Sequence, residues 1–195
     1  MAAINLEAFV LSCVKCPCID KPYAKYRAYS SWLPSEVIVL AVGESPPSGR
    51  KESFFYNLKC FDRLRQAIKY AFEIDDDRQL LQELKGIGVF ITAAVKCRPP
   101  SKRHIPSMRV NCVEILRREV EALRPSRIVA MGSAALASVA ELFSLQKPST
   151  IIGIYKLAST PLEVYALPHP LYLFRFKREL LPPLRQLLSG EEVRI

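Results

Sequence analysis

Glu36-Val37-Ile38-Val39-Leu40-Ala41-Val42-Gly43 is an unbroken apolar run that ends in glycine. A strand with one face in water alternates apolar and polar residues, whereas a strand covered on both faces in a parallel sheet does not. The run therefore predicts a central strand of an α/β protein. Val89 to Val95 and Arg127-Ile-Val-Ala-Met-Gly132 repeat the pattern. Ile151 to Tyr155 and Glu163 to Leu167 read as shorter strands.

Between these runs the spacing turns helical. Asn5 to Val14 and Leu58 to Ile74 carry apolar residues at helical intervals, the second with Phe61, Leu64, Ile68 and Phe72 on one face and Cys60 as a buried thiol. Asp75 to Asp77 can cap a short helix through Leu84. Further helices are predicted from Pro106 to Leu123, from Ser133 to Phe143, and from Leu171 to Leu188, the last interrupted by Pro182-Pro183. Tyr23 to Trp32 reads as irregular. The order βαβαβα with right-handed crossovers predicts a three-layer α/β/α sandwich around a central, mainly parallel sheet of about four strands. With no internal repeat or long linker, residues 1–195 read as one domain.

The chain carries 28 basic and 19 acidic residues, a net charge of +9. That favours an anionic partner, nucleic acid first. The basic residues cluster, with Arg98, Lys102, Arg103 and Arg109 in one stretch and Arg175, Lys177 and Arg178 in another. No apolar run approaches the roughly 20 residues that span a bilayer, so no membrane partner is expected. The start, Met1-Ala-Ala-Ile-Asn-Leu-Glu7, lacks a basic leader region, and a cytoplasmic monomer is the expectation.

Six cysteines in such a chain read as metal ligands or buried thiols before disulfides. Cys13-x2-Cys16 and Cys97-x14-Cys112 offer four thiolates, which suit tetrahedral zinc or a 4Fe–4S cluster. Cys18 is an alternative to Cys16, and burial in the core is the other reading of Cys97 and Cys112. Gly43-Glu44-Ser45-Pro46-Pro47 presents backbone amides and a carboxylate at the C-terminal end of a strand, where α/β sheets bind ligands. Phe54, Phe55 and Tyr56 follow, rings that either pack the core or stack an unpaired base. His104 and His169, the two histidines, both fall in loops after predicted strands, suited to acid–base work or to stabilising a leaving anion.

Cys13-x2-Cys16, Gly43-Glu44-Ser45-Pro46, Val95-Lys96-Cys97-Arg98-Pro99-Pro100, Cys112 and His169-Pro170 come in that order. Together they resemble the iron–sulfur, family-4 branch of the uracil-DNA glycosylase superfamily. The Val-Lys-Cys-Arg-Pro-Pro segment is the most specific part. The resemblance implies a DNA repair glycosylase that binds DNA, flips a damaged, deaminated base and hydrolyses its N-glycosidic bond. It implies a 4Fe–4S cluster, rather than zinc, on Cys13, Cys16, Cys97 and Cys112. It implies that Phe54 or Phe55 stacks the base and that His169 is catalytic; the loop residues Gly43 and Ser45, with Ala93, complete the expected base-binding set, and Glu44 the expected catalytic one. Leu171 or Tyr172 would plug the helix, and Arg98, Lys102, Arg103, Arg175 and Lys177 would contact DNA. His104 sits about where a related branch has a histidine that acts on the sugar, which makes it a third catalytic candidate.

Two departures bear on substrate. Where the family has an asparagine that reads the pyrimidine edge, this chain has Ala93. Alanine offers no donor–acceptor pair, so the expected base preference is altered from uracil. The loop Pro47-Ser-Gly-Arg50-Lys51-Glu52 is basic where the family is acidic, leaving Glu44 or Glu52 to hold a water. The alternative expectation is a DNA-binding or nuclease protein on the same scaffold without glycosylase activity.

Overall fold

The computed structural model describes residues 5–193. The chain opens with three short helices, α1 (Leu6–Ser12), α2 (Pro22–Lys25) and α3 (Ala28–Trp32), and enters the sheet at β1 (Val39–Gly43). Then follow α4 (Arg63–Phe72), α5 (Asp77–Gly86), β2 (Val89–Ala93), α6 (Ile105–Leu123), β3 (Arg127–Met131) and α7 (Ser133–Phe143). The C-terminal part is β4 (Tyr155–Ala158), β5 (Glu163–Leu167), α8 (Pro170–Phe176) and α9 (Leu181–Leu188).

The sheet has the order β2-β1-β3-β5-β4. All neighbours are parallel except β4, which runs antiparallel to β5 at one edge. Every residue of β1, β2 and β3 is buried, as their unalternating sequences require. α4 packs against α5, α8 and α9, while α6 packs against α7 and α1, which gives the α/β/α arrangement. Because β1 is flanked by β2 on one side and β3 on the other, a crevice opens at the C-terminal ends of these strands. No helix among the described residues is long and apolar enough to cross a membrane.

Several expectations are corrected. The sheet has five strands rather than about four. The strand expected at Ile151 to Tyr155 begins at Tyr155, and Ile152 is exposed. The helix expected from Leu58 begins at Arg63, because Asp62 caps it by accepting the Arg65 N–H at 3.0 Å. Phe61 therefore leaves the expected apolar face and is 67% exposed, and Cys60 is a half-buried turn residue. Tyr23 to Trp32 is not irregular but forms α2 and α3, joined at Arg27 in the left-handed region. Pro182-Pro183 does not interrupt a helix. The prolines lie in the first turn of α9, where a missing N–H costs nothing, and the break falls at Lys177.

Candidate active site

A cavity of about 360 Å³ occupies the crevice. Gly43 and Glu44 reach it from the end of β1, Thr92 and Ala93 from the end of β2, and His169 from the turn after β5. The loop between β1 and α4 supplies Ser45, Phe54, Phe55 and Asp62. Leu171 lies at the same opening. Of the sequence-derived candidates, Gly43, Glu44, Ser45, Phe54, Phe55, Ala93, His169 and Leu171 thus line one cavity. His104 does not. It precedes α6, and its Nδ1 sits 3.0 Å from Ser101 Oγ.

His169 is fixed from both sides. The Leu171 N–H donates to its Nδ1 at 3.1 Å, which assigns the proton of the neutral ring to Nε2. Gly132, against which the His169 Cβ packs, has φ +98°, a backbone conformation that favours glycine. Burial pushes the imidazole down to about 4, with Asp62 acting upward and Lys102 downward. At neutral pH the ring is an uncharged hydrogen-bond donor.

Asp62 is the buried carboxylate of the cavity, 4% exposed. One oxygen caps α4 and the other accepts from Ser53 Oγ at 3.0 Å. Sequence reasoning missed it by starting the helix at Leu58. The available signal was an Asp placed directly before the first residue of the amphipathic run. Tyr23, Thr92, Lys51 and Arg63 also line the cavity without having been singled out.

Two buried arginines hold the loop. Arg65 Nη1 donates to the carbonyls of Phe54, Phe55 and Asn57 at 3.2, 2.7 and 3.2 Å, and Arg65 pairs with Asp77 at 2.9 Å. Arg98 grips its other half. This corrects the expectation for Arg98: its side chain has no exposed surface and cannot face a phosphate. Lys102, Arg103, Arg175 and Lys177 are exposed, and Tyr172 is 45% exposed. A wider outer cavity of about 750 Å³ shares Glu44, His169 and Leu171 with the inner one and is rimmed by Lys102, Lys147 and Tyr172.

Behind the floor lies a fully buried ion pair, Lys96 Nζ to Glu119 Oε2 at 2.6 Å. Lys96 also donates to Thr92 Oγ1 at 2.7 Å and to the Ala93 carbonyl. Thr92 and Tyr29 hydroxyls donate to Glu119 Oε1 at 2.8 and 2.6 Å. The hydrogen bonds to Lys96 and to Glu119 Oε1 offset part of the desolvation cost, while Oε2 is held by the ion pair alone.

The cysteines converge from the chain after α1, the turn after β2 and the helix α6. Cys97 and Cys112 are buried, Cys13, Cys16 and Cys18 partly so, and none is in a disulfide. Burial raises the Cys97 thiol, and the neighbouring Cys18 and Cys112 add to it. Burial likewise raises Cys112, while the Lys96 backbone N–H and charge oppose it and Cys16 and Cys13 add to it. Asn111 Nδ2 donates to Cys16 Sγ at 3.3 Å. Lys21 Nζ closes the chain between them by donating to the Cys13 carbonyl at 2.5 Å. Among the described residues no three Cys, His, Asp or Glu form a closed metal-holding group. The neighbouring donors are nevertheless all sulfur, with lysines close by, a chemistry that fits a thiolate-held metal centre.

A model of the uracil DNA glycosylase superfamily matches residues 31–188. A type-5 uracil-DNA glycosylase of Pyrobaculum aerophilum is 26% identical over 180 residues, covering 83% of this chain and 79% of that protein. A type-4 uracil-DNA glycosylase of Archaeoglobus fulgidus is 33% identical over 138 residues, 70% of this chain and 63% of that protein. A type-4 uracil-DNA glycosylase of P. aerophilum is 29% identical over 148 residues, 71% and 64%. This chain therefore spans just under two thirds of the length of the two type-4 relatives.

Proposed function

This chain belongs to the uracil DNA glycosylase superfamily, and we propose that it is a DNA glycosylase that flips a deaminated base into the cavity and hydrolyses its N-glycosidic bond. The observation that carries the reading is the joint placement of a neutral histidine, a buried carboxylate and two aromatic rings in one cavity at the ends of parallel strands.

Phe55 is the ring that stacks the base. Phe54 is already enclosed, stacked on Tyr26 at 5.6 Å and edge-on to Tyr23 and Tyr56, whereas Phe55 meets only Tyr56 among the aromatic pairs, at 5.1 Å. Asp62, with Glu44 as the second carboxylate of the cavity, orients a water and takes its proton. The water oxygen bonds to the sugar carbon as the bond to the base breaks. The base leaves with the electron pair, and His169 Nε2–H donates to the oxygen on which that charge gathers. The neutral ring donates this hydrogen bond and keeps its proton.

Lys102, at the rim of the outer cavity, and the exposed Arg103, Arg175 and Lys177 supply sequence-independent phosphate contacts, with Leu171 or Tyr172 entering the gap left by the base. A 4Fe–4S cluster held by Cys13, Cys16, Cys97 and Cys112 would serve as a structural clamp between the N-terminal segment and α6, with Cys18 able to replace Cys16. Ala93 leaves no side-chain amide at the base edge, so base preference departs from uracil.

The test is to incubate the purified protein with single- and double-stranded DNA carrying uracil, hypoxanthine or xanthine and to assay abasic sites. Release of at least one base is expected. Salt-dependent binding without release from any substrate would reject the glycosylase reading in favour of a DNA-binding protein on the same scaffold.

A further inference from the structure

Arg98 was expected at a phosphate, and the fold turns it inward. Its Nε donates to Asp20 Oδ1 at 2.8 Å. One terminal nitrogen, Nη1, donates to the carbonyls of Pro47 and Ser53 at 2.9 and 3.0 Å. Backbone bonds reinforce the join. Ile19 N–H donates to the Arg98 carbonyl at 3.0 Å, Arg98 N–H to the Asp20 carbonyl at 2.9 Å, and Gly49 N–H to the Pro99 carbonyl at 2.9 Å.

The two segments so joined carry cysteines, Cys18 two residues before Asp20 and Cys97 directly before Arg98. The loop on the far side carries the catalytic carboxylate's partner. Ser53, whose carbonyl accepts from Arg98, donates its hydroxyl to Asp62 Oδ2 at 3.0 Å. A path of hydrogen bonds therefore leads from the cysteine segments through Arg98 and Ser53 to Asp62. The guanidinium spreads these donors over two nitrogens in a fixed planar fork, whereas a lysine ammonium carries all of its donors on one atom.

We infer that Arg98 is a positioning residue that locks the cavity loop, and through Ser53 the Asp62 carboxylate, to the cysteine-bearing segments. Loosening those segments, as by loss of a metal centre they hold, relaxes the excision site. The inference rests on reading the cavity as that site.

Arg98→Lys keeps the charge beside Asp20 but concentrates its donors on one nitrogen. Hydrogen exchange followed by mass spectrometry is the first readout, on the protein with its metal centre as isolated. Amides of 44–57 should exchange about tenfold faster in the variant, while those of β3 and α7 keep their protection. Wild type stripped of metal with a chelator should show the same change over the same residues. The single-turnover excision rate of the bound variant should fall about 10–100-fold, the scale expected from misplacing a reacting group by about an ångström. DNA affinity and its salt slope should hold.

Unchanged exchange over 44–57, in the variant or in stripped wild type, overturns the inference. So does a weaker affinity with a salt slope lower by about one, the mark of a lost phosphate contact. If Arg98→Lys does not fold, Asp20→Asn, which removes the counter-charge and leaves both loop carbonyls in place, must loosen the same residues. Altered exchange in a protein whose wild type releases no base would refute the glycosylase reading while leaving the role of Arg98 intact.

Discussion

Ala93 stands in register beside Gly43, at the adjoining ends of β2 and β1, and both line the cavity. Neither has a side chain that can hydrogen-bond, and the hydroxyl nearest to Ala93 in sequence is already committed. Thr92 Oγ1 is engaged with Glu119 and Lys96 behind the floor. On the glycosylase reading, this part of the cavity offers a base only shape and backbone groups. Ala93→Asn introduces a donor–acceptor pair there. Uracil excision relative to the other deaminated bases should rise by about tenfold or more, measured as the ratio of kcat/KM values. An unchanged ratio would place base reading elsewhere.

Asp62→Asn keeps a good N-cap for α4, since asparagine caps about as well as aspartate. The excision rate should fall about 10²–10⁴-fold, the usual worth of a positioned base, with Tm nearly unchanged. Glu44→Gln measured alongside identifies which carboxylate holds the water by the larger loss.

Burial gives His169 a pH response of its own. The unfolded chain takes up a proton near 6.5, but the folded chain resists it until about 4. Stability should therefore fall as pH drops through this window, because the unfolded state binds the extra proton. His169→Gln removes the part of that slope above the carboxylate range, which thermal melts of the two proteins between pH 7 and 5 would reveal. Excision by wild type should show no loss centred at 6.5. A loss centred there would mean that the ring is solvated.

Lys96 and Glu119 are fully buried and paired at 2.6 Å. Lys96→Met or Glu119→Gln alone leaves the partner unpaired or under-bonded and should cost about 3–5 kcal/mol in urea unfolding. Lys96→Met combined with Glu119→Leu should recover much of that cost. A double variant as unstable as the sum of the two singles would argue against coupling.

The strands were legible because double burial is written into composition: Val39–Gly43, Val89–Ala93 and Arg127–Met131 carry unalternating runs. β5 and α7 were read with their observed limits for the same local reason. α4 was not, because the apolar spacing of 58–74 continues past the point where the Asp62 cap sets the first turn. The edge strand β4 was misplaced because a short, half-buried strand carries a weak pattern.

By itself the sequence determined the sheet's central strands, the two pairs of cysteines and the loops in which Glu44 and His169 fall, since all of these depend on residues close together in the chain. Only the tertiary structure decided that Asp62 joins His169 at one cavity, that His104 stays outside it, and that Arg98 points inward to Asp20, Pro47 and Ser53. The direction of a charged side chain is chosen by the partners that compensate its desolvation. Those partners lie 45 to 78 residues away in sequence, beyond the reach of any local pattern.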